Sequence, residues 1–353
     1  MSGLFKGIGA VIIVLVIAAA WLTNTAAGAR WAYQRATPLV PGTLSVASID
    51  GTLAGPLTID ALHYRDLDAG IELEVERLRV DLGLLALLRQ TVVIESGNAT
   101  GVRLTLSEPR VEQDDKPLSL DPPINVAINS FTLQGGVVRR AGEQLAQINT
   151  AQLEALWNHD ALTIQKLDID AIQGERNWIG NLTATAADAH VKATLNLQQP
   201  VVASLQATVQ LQDQLPWEME LEIPRTDPRG ALLADSSAVR NLAAALRGSG
   251  TRSGGQVSGH IDINAERLGI ERLRVVPGSP TTTIDGLLRW GNGQMSIKGD
   301  VKTAAEPLLV DLNVSWRDLT LPADLAGQVL QSRGDIAVNG TTESYRVVGD
   351  IAL

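Results

Sequence analysis

Residues 204–211 read SLQATVQL, in which Leu205, Ala207, Val209 and Leu211 alternate with Ser204, Gln206, Thr208 and Gln210. Successive side chains of a β-strand point to opposite faces, so a strict period of two makes one apolar and one wet face; on a helix the same set would scatter around the axis. The alternation recurs in both directions from this stretch. Downstream, Trp217, Met219, Leu221 and Ile223 alternate with Glu218, Glu220 and Glu222, and Leu308, Val310, Leu312, Val314 and Trp316 are interleaved with Asp311, Asn313 and Ser315. Upstream, Val102, Leu104 and Leu106 alternate with Arg103 and Thr105. Gly, Pro, Asn and Asp separate the runs, as turns require. Strands of parallel sheets, buried on both faces, read as continuous apolar runs, so this pattern predicts an all-β chain of antiparallel strands.

Some runs change parity part-way. Ile71, Leu73 and Val75 are odd-numbered but Leu78, Val80 and Leu82 are even, and Leu162 and Ile164 give way to Leu167 and Ile169. A one-residue slip within a strand would turn its apolar set outward, so each change predicts a β-bulge or short break. Two segments are expected as short helices: Leu82 to Leu88, and Asp235 to Arg247, where Val239, Leu242, Ala243 and Leu246 recur at three- and four-residue spacing. The run from Gly248 to Gly255 (GSGTRSGG) reads as a flexible loop. Roughly twenty strands in one sheet at ~4.8 Å spacing would form a ribbon of about 100 Å.

After Lys6, the stretch from Gly7 to Leu22 has no charged residue and is mostly Ile, Val, Leu and Ala. Sixteen helical residues span ~24 Å and a few flanking residues complete a bilayer core of ~30 Å, so the segment predicts a single transmembrane anchor. Trp21, Trp31 and Tyr33 stand where an interfacial aromatic belt is expected. The rival reading is a cleaved signal peptide, because Ala27-Gly28-Ala29 has the small-x-small form of a processing site. Either way the remainder is exported.

Chemistry finds little foothold. The 353 residues carry a net charge of −10 and no long basic run, which argues against nucleic acid as a partner. Cysteine is absent, excluding disulfides, Cys-ligated zinc and thiol nucleophiles. The four histidines, His63, His159, His190 and His260, fall in no metal-binding spacing, and there is no nucleophile elbow, Walker A loop or dinucleotide turn. Asp168 with Asp170, and the ladder Glu72, Glu74, Glu76, each lie on one face of a strand, which a solvated face explains. Asp114 and Asp115, beside Lys116 and Pro117, read as an exposed loop. No catalytic, cofactor-binding or metal site is expected, and the chain is read as a non-enzyme.

What is left is the apolar face. With 45% hydrophobic residues and few predicted helices, something must cover it. Two sheets could cover each other in a closed β-sandwich acting as a scaffold or chaperone-like domain. Alternatively a single curved sheet could form a trough whose interior holds acyl chains, because an apolar face left in water costs ~25 cal/mol per Å². The candidate groove-lining residues are Val102, Leu104, Leu106, Val209, Leu211, Leu221, Leu312 and Val314.

Short signatures then carry a resemblance. Ser48 to Tyr64 reads SIDGTLAGPLTIDALHY, and it is followed by Leu78 to Leu88 and Thr91 to Leu104. Near the end come WRDLTLP from Trp316, SRGDIAVNG from Ser332 and YRVVGD from Tyr345. Individually these are mostly glycines and aliphatics, but their order behind the apolar N-terminus resembles the TamB family of AsmA-like envelope proteins. The resemblance implies an elongated curved antiparallel sheet, a β-taco or repeating groove, with an N-terminal transmembrane helix and one or two short helices. It also implies residues 1–29 as cytoplasmic stub and anchor and 30–353 as periplasmic groove, in a single-pass protein of the bacterial inner membrane. The implied role is outer-membrane protein assembly and phospholipid transport between the membranes. The implied partners are the inner membrane, phospholipid acyl chains, a TamA-type outer-membrane barrel and nascent outer-membrane proteins. Family members are usually much longer, so the chain is expected to be a fragment without the C-terminal domain that engages the barrel.

Overall fold

Period-two runs bounded by turn residues form strands throughout a computed structural model, which describes residues 23–40, 42–107, 124–231, 233, 237–278, 281–302, 308–321, 329–341 and 344–352. The chain divides into two units, Met1–Asp188 and Ala189–Leu353.

The first unit opens with helix α1 (Ala26–Ala36), whose N-terminus is capped by Thr25: its Oγ1 accepts from the Gly28 N–H at 3.0 Å. A 3-10 turn, Thr37–Leu39, leads into β1 (Thr43–Ser45) and β2 (Ser48–Gly51), which pair one after the other along the same edge of β3 (Leu57–Asp66). Then follow β4 (Ile71–Leu82), a 3-10 helix (Leu84–Arg89), β5 (Thr91–Leu106), β6 (Asn125–Arg140), β7 (Glu143–Trp157), β8 (Ala161–Gln173) and β9 (Arg176–Ala187). Each strand from β3 onward pairs with the next. Under α1 lies a small core of Ala29, Ile49, Leu57 and Val80, and a second one joins Val75, Ala99 and Val102.

The second unit is an unbroken antiparallel meander. Its strands are β10 (His190–Gln199), β11 (Ala203–Gln210), β12 (Trp217–Thr226), β13 (Leu242–Thr251), β14 (Gly254–Ile263), β15 (Glu266–Val276) and β16 (Thr281–Trp290), then β17 (Gly293–Lys302), β18 (Leu309–Leu321), β19 (Leu330–Thr341) and β20 (Tyr345–Ala352). Every strand pairs with its successor. Each unit is therefore one open sheet, and the chain is all-β with few helices.

The parity changes in the sequence are bulges and kinks. The slip between Val75 and Leu78 falls at Glu76, and the slip between Ile164 and Leu167 is a register shift against β9. In the first unit the kinks line up across the sheet: Ala61 (φ 49°), Gly101 (φ 64°) and Gly135 (φ 68°) stand immediately before Leu62, Val102 and Gly136, which occupy one cross-strand row with Val75. At Gly101 this left-handed backbone is combined with close approach, since an added Cβ would lie 2.3 Å from the Glu76 carboxyl carbon. Kinks at one level bend neighbouring strands together.

Three expectations are corrected. The segment Asp235 to Arg247 is not a helix: among the described residues it runs into β13, and its small residues serve a sheet. Ala244 is buried between Ile223 and Ile261, and Gly248 faces Met219, so alanine and glycine mark tight cross-strand packing here. Gly248 to Gly255 is not a loose loop but the β13–β14 hairpin, turning at Arg252 and Ser253. Finally, the first unit is not purely antiparallel, because β5 and β6 pair in parallel, Thr91 opposite Asn125. A parallel neighbour needs a crossover of a dozen or more residues, and 107–124 provide it. Asp114 and Asp115 belong to that connection, outside the described residues. The 3-10 helix Leu84–Arg89 agrees with the short helix expected near it. The anchor expected at 7–22 also lies outside the described residues, and among those described no helix is long and apolar enough to cross a membrane.

Candidate functional site

Residues paired across antiparallel strands project to the same face, so the registers show which side chains share a surface. In the second unit Leu195, Leu205, Leu221, Leu246 and Gly259 stand opposite one another from β10 to β14. Ile270, Leu288, Met295, Trp316, Gly334 and Ile351 carry the same row on to β20. Two similar rows run beside it on one side, first that from Ala193 through Val314 to Gly349 and then that from Val191 through Val209 and Leu312 to Val347. No charged residue interrupts any of the three rows over eleven strands.

The face is uncovered. Among the apolar side chains of these rows only Ile270 and Leu288 are buried; the others are half-buried, and Val347 and Ile351 on β20 are 51% and 61% exposed. A second packed layer would bury such positions as completely as the core of a sandwich. The floor is smoothed by indole rings lying over glycine. A Cβ at Gly255 would be 2.3 Å from Trp217 Cζ2, and one at Gly334 would be 2.9 Å from Trp316 Cζ2. The polar edges of these rings are satisfied, Trp217 Nε1 donating to the Thr251 carbonyl (3.3 Å) and Trp316 Nε1 to Ser332 Oγ (3.1 Å). By contrast, the indole N–H groups of Trp178 and Trp290, on the same kind of face, have no partner among the described residues.

The first unit repeats the arrangement. Leu62, Val75, Val102, Gly136, Ile148, Ala171 and Trp178 form one row across seven strands. Parallel to it run Leu73, Leu104 and Val138. Of the eight expected lining residues, Val102, Leu104, Val209, Leu221, Leu312 and Val314 stand in such rows. Leu106 pairs with Ile71 and Arg140 at the end of its strand, and Leu211 lies one residue beyond β11, its N–H bonded to the Ala189 carbonyl at 2.6 Å. Val102 belongs to the small core, so it supports the sheet more than it lines a surface.

Cross-strand ion pairs line the opposite face. They include Arg247 with Glu220 (3.0 Å), Arg289 with Glu271 (2.7 Å), Arg267 with Asp262 (2.7 Å) and Arg77 with Asp60 (2.8 Å). The Arg77 guanidinium, followed by the Ser48 hydroxyl, holds the Asp60 carboxyl below its ordinary range, and Arg267 does the same for Asp262. Cross-strand register also creates a cluster that linear spacing conceals: His63, Glu72 and Glu74 bring one ligand atom each within 4.8 Å of one another. His63 Nε2 lies 2.9 Å from Glu72, but Arg103 binds Glu74 at 3.0 Å and Arg65 approaches Glu72 at 3.9 Å. A cation would have to displace these guanidinium groups, so the cluster is a charged ladder on the outer face.

Residues 15–178 match the family model described as TamB, N-terminal domain. The chain carries a TamB-type N-terminal domain at these residues. The match spans most of the first unit, and the apolar rows of the second unit lie beyond this TamB-type domain. No curated protein and no solved structure matches the chain.

Proposed function

We propose that this chain is an inner-membrane-anchored, periplasmic component of a translocation and assembly module. In this reading its apolar face carries phospholipid acyl chains between the inner and outer membranes, in support of outer-membrane protein assembly with a TamA-type barrel. The observation that carries the reading is the uncharged, half-buried set of rows crossing eleven strands. Rows two residues apart are separated by ~7 Å, so three make a stripe of roughly 14 Å between outer row centres, wide enough for more than one extended hydrocarbon chain. At ~0.8 kcal/mol per CH₂, bringing a whole acyl chain into water costs on the order of 10 kcal/mol, and a continuous apolar surface removes that barrier. No step of this role needs a nucleophile, a metal or a cofactor, and the chain is proposed to act without catalysis. Exposure of the rows favours the open face over the closed sandwich.

Retention of the anchor has its own support. Ala27-Gly28-Ala29 lies inside α1, where Ala29 is 3% exposed in the core beneath the helix. Cleavage there would strip the Thr25 cap and open that core.

A photoreactive amino acid at Leu221, on an apolar row, or at Glu220, on the outer face, tests the function in cells. Phospholipid adducts are expected at position 221 and not at 220. Equal yields at both, or none at 221, would refute an acyl-chain surface.

A further inference from the structure

One end of the first unit gathers features that the groove itself does not use. The Thr23 carbonyl, directly after the uncharged stretch 7–22, accepts from the Ala54 N–H at 2.8 Å, tying this point of the chain to the β2–β3 turn. Leu53 of that turn and Leu82, the last residue of β4, both pack on the cluster containing Ala29 of α1. From Leu82 the chain passes directly into the 3-10 helix Leu84–Arg89. This helix is an ordered part of the sheet end: the Gly83 N–H donates to the Val93 carbonyl at 2.9 Å, and the Ala86 N–H to the Gly83 carbonyl at 3.1 Å. Yet Leu85 is 84% exposed, the highest value among the large apolar side chains of the described residues, and Arg89 at the end of the same helix is exposed as well.

A leucine held outward by a short helix is unfavourable in water, and an arginine one turn away suits anionic headgroups. The apolar stretch that ends at Leu22 is joined to this same end through Thr23, which identifies the nearby surface as a bilayer. We propose that Leu84–Arg89 is a membrane-contacting lip, with Leu85 inserted into the interfacial layer of the leaflet entered by residues 7–22 and Arg89 at the headgroups. The proposal rests on the reading of 7–22 as a membrane anchor.

The natural chain has no cysteine, so one introduced thiol gives a unique label. The full chain carrying Leu85→Cys with an environment-sensitive fluorophore is placed in bilayers of phosphatidylethanolamine and phosphatidylglycerol containing brominated acyl chains. Leu67→Cys serves as the distant control: Leu67 is 43% exposed in the turn at the far end of β3, about 33 Å away along a ten-residue strand. Val14→Cys reports on the anchor. Insertion by ~5–10 Å brings the label at position 85 within reach of the bromines, so its emission is expected to fall to about half or less while that at 67 is unchanged. Arg89→Glu should reduce the quenching at 85. Quenching at 14 without quenching at 85 overturns the lip and leaves the anchor intact. No quenching at 14 overturns the anchor reading, and with none at 85 the lip falls too.

Discussion

Val209→Asp places a carboxylate in an apolar row, with Val191 and Trp217 as its cross-strand neighbours. The two readings of the apolar face give different costs. Val209 is half-buried, so loss of its apolar contacts costs about 1 kcal/mol. The lower strand preference of Asp adds up to about 1 kcal/mol. On an open face the carboxylate stays hydrated, and the total is about 2 kcal/mol. In a closed sandwich the same carboxylate would lose its water without a partner, which costs several kcal/mol more and would unfold the unit. An acyl chain lying on the row would meet a charge, and each 1.4 kcal/mol of added penalty lowers occupancy tenfold. The assay combines urea unfolding followed by far-UV circular dichroism with lipid adduct formation from a photoreactive group at Leu221. The expected result is a modest shift of the unfolding midpoint with at least a tenfold loss of adduct. Unfolding in parallel with adduct loss would make Val209 a covered core residue. A stable variant with undiminished adduct would show that lipid does not use this row.

Gly255→Ala is expected to destabilise the chain by about 1–3 kcal/mol, because the new Cβ falls 2.3 Å from Trp217 Cζ2. Trp217→Leu in the same chain should recover most of that loss, and an unshifted midpoint for Gly255→Ala alone would contradict the ring-over-glycine floor. In the turn after β12, hydrogen bonds from the Arg229 side chain and N–H hold the Asp227 carboxyl down at about 2. Its folded-state value is lowered, so its stabilising contribution is present above the ordinary carboxylate range and disappears as pH falls toward 2. Carboxyl carbon NMR should show that midpoint, and Arg229→Gln should move it up toward the ordinary value; an unchanged midpoint in the variant would remove Arg229 as the cause.

Period-two alternation needs no tertiary information to be read, because side-chain direction along a strand is fixed by local backbone geometry. It therefore located the strands from SLQATVQL outward, the wet and apolar faces, the kink at 75–78 and the bulge at 164–167, and the six of the eight expected lining residues that stand in rows. It failed where composition serves a neighbouring strand. The alanines and glycines of 242–251 look helical or loose in isolation, yet they are small because Trp217, Met219 and Ile223 pack against them. Whether β6 joins β5 in parallel depends on how residues 107–124 cross, which no local pattern encodes. The His63, Glu72 and Glu74 cluster comes from the β3–β4 register and is invisible in linear spacing. Above all, a period of two gives every strand an apolar side but does not say what lies against it. Only the tertiary arrangement decided that, because exposure depends on whether a second layer is present, and in each unit the strands run side by side in one sheet with the apolar rows half open.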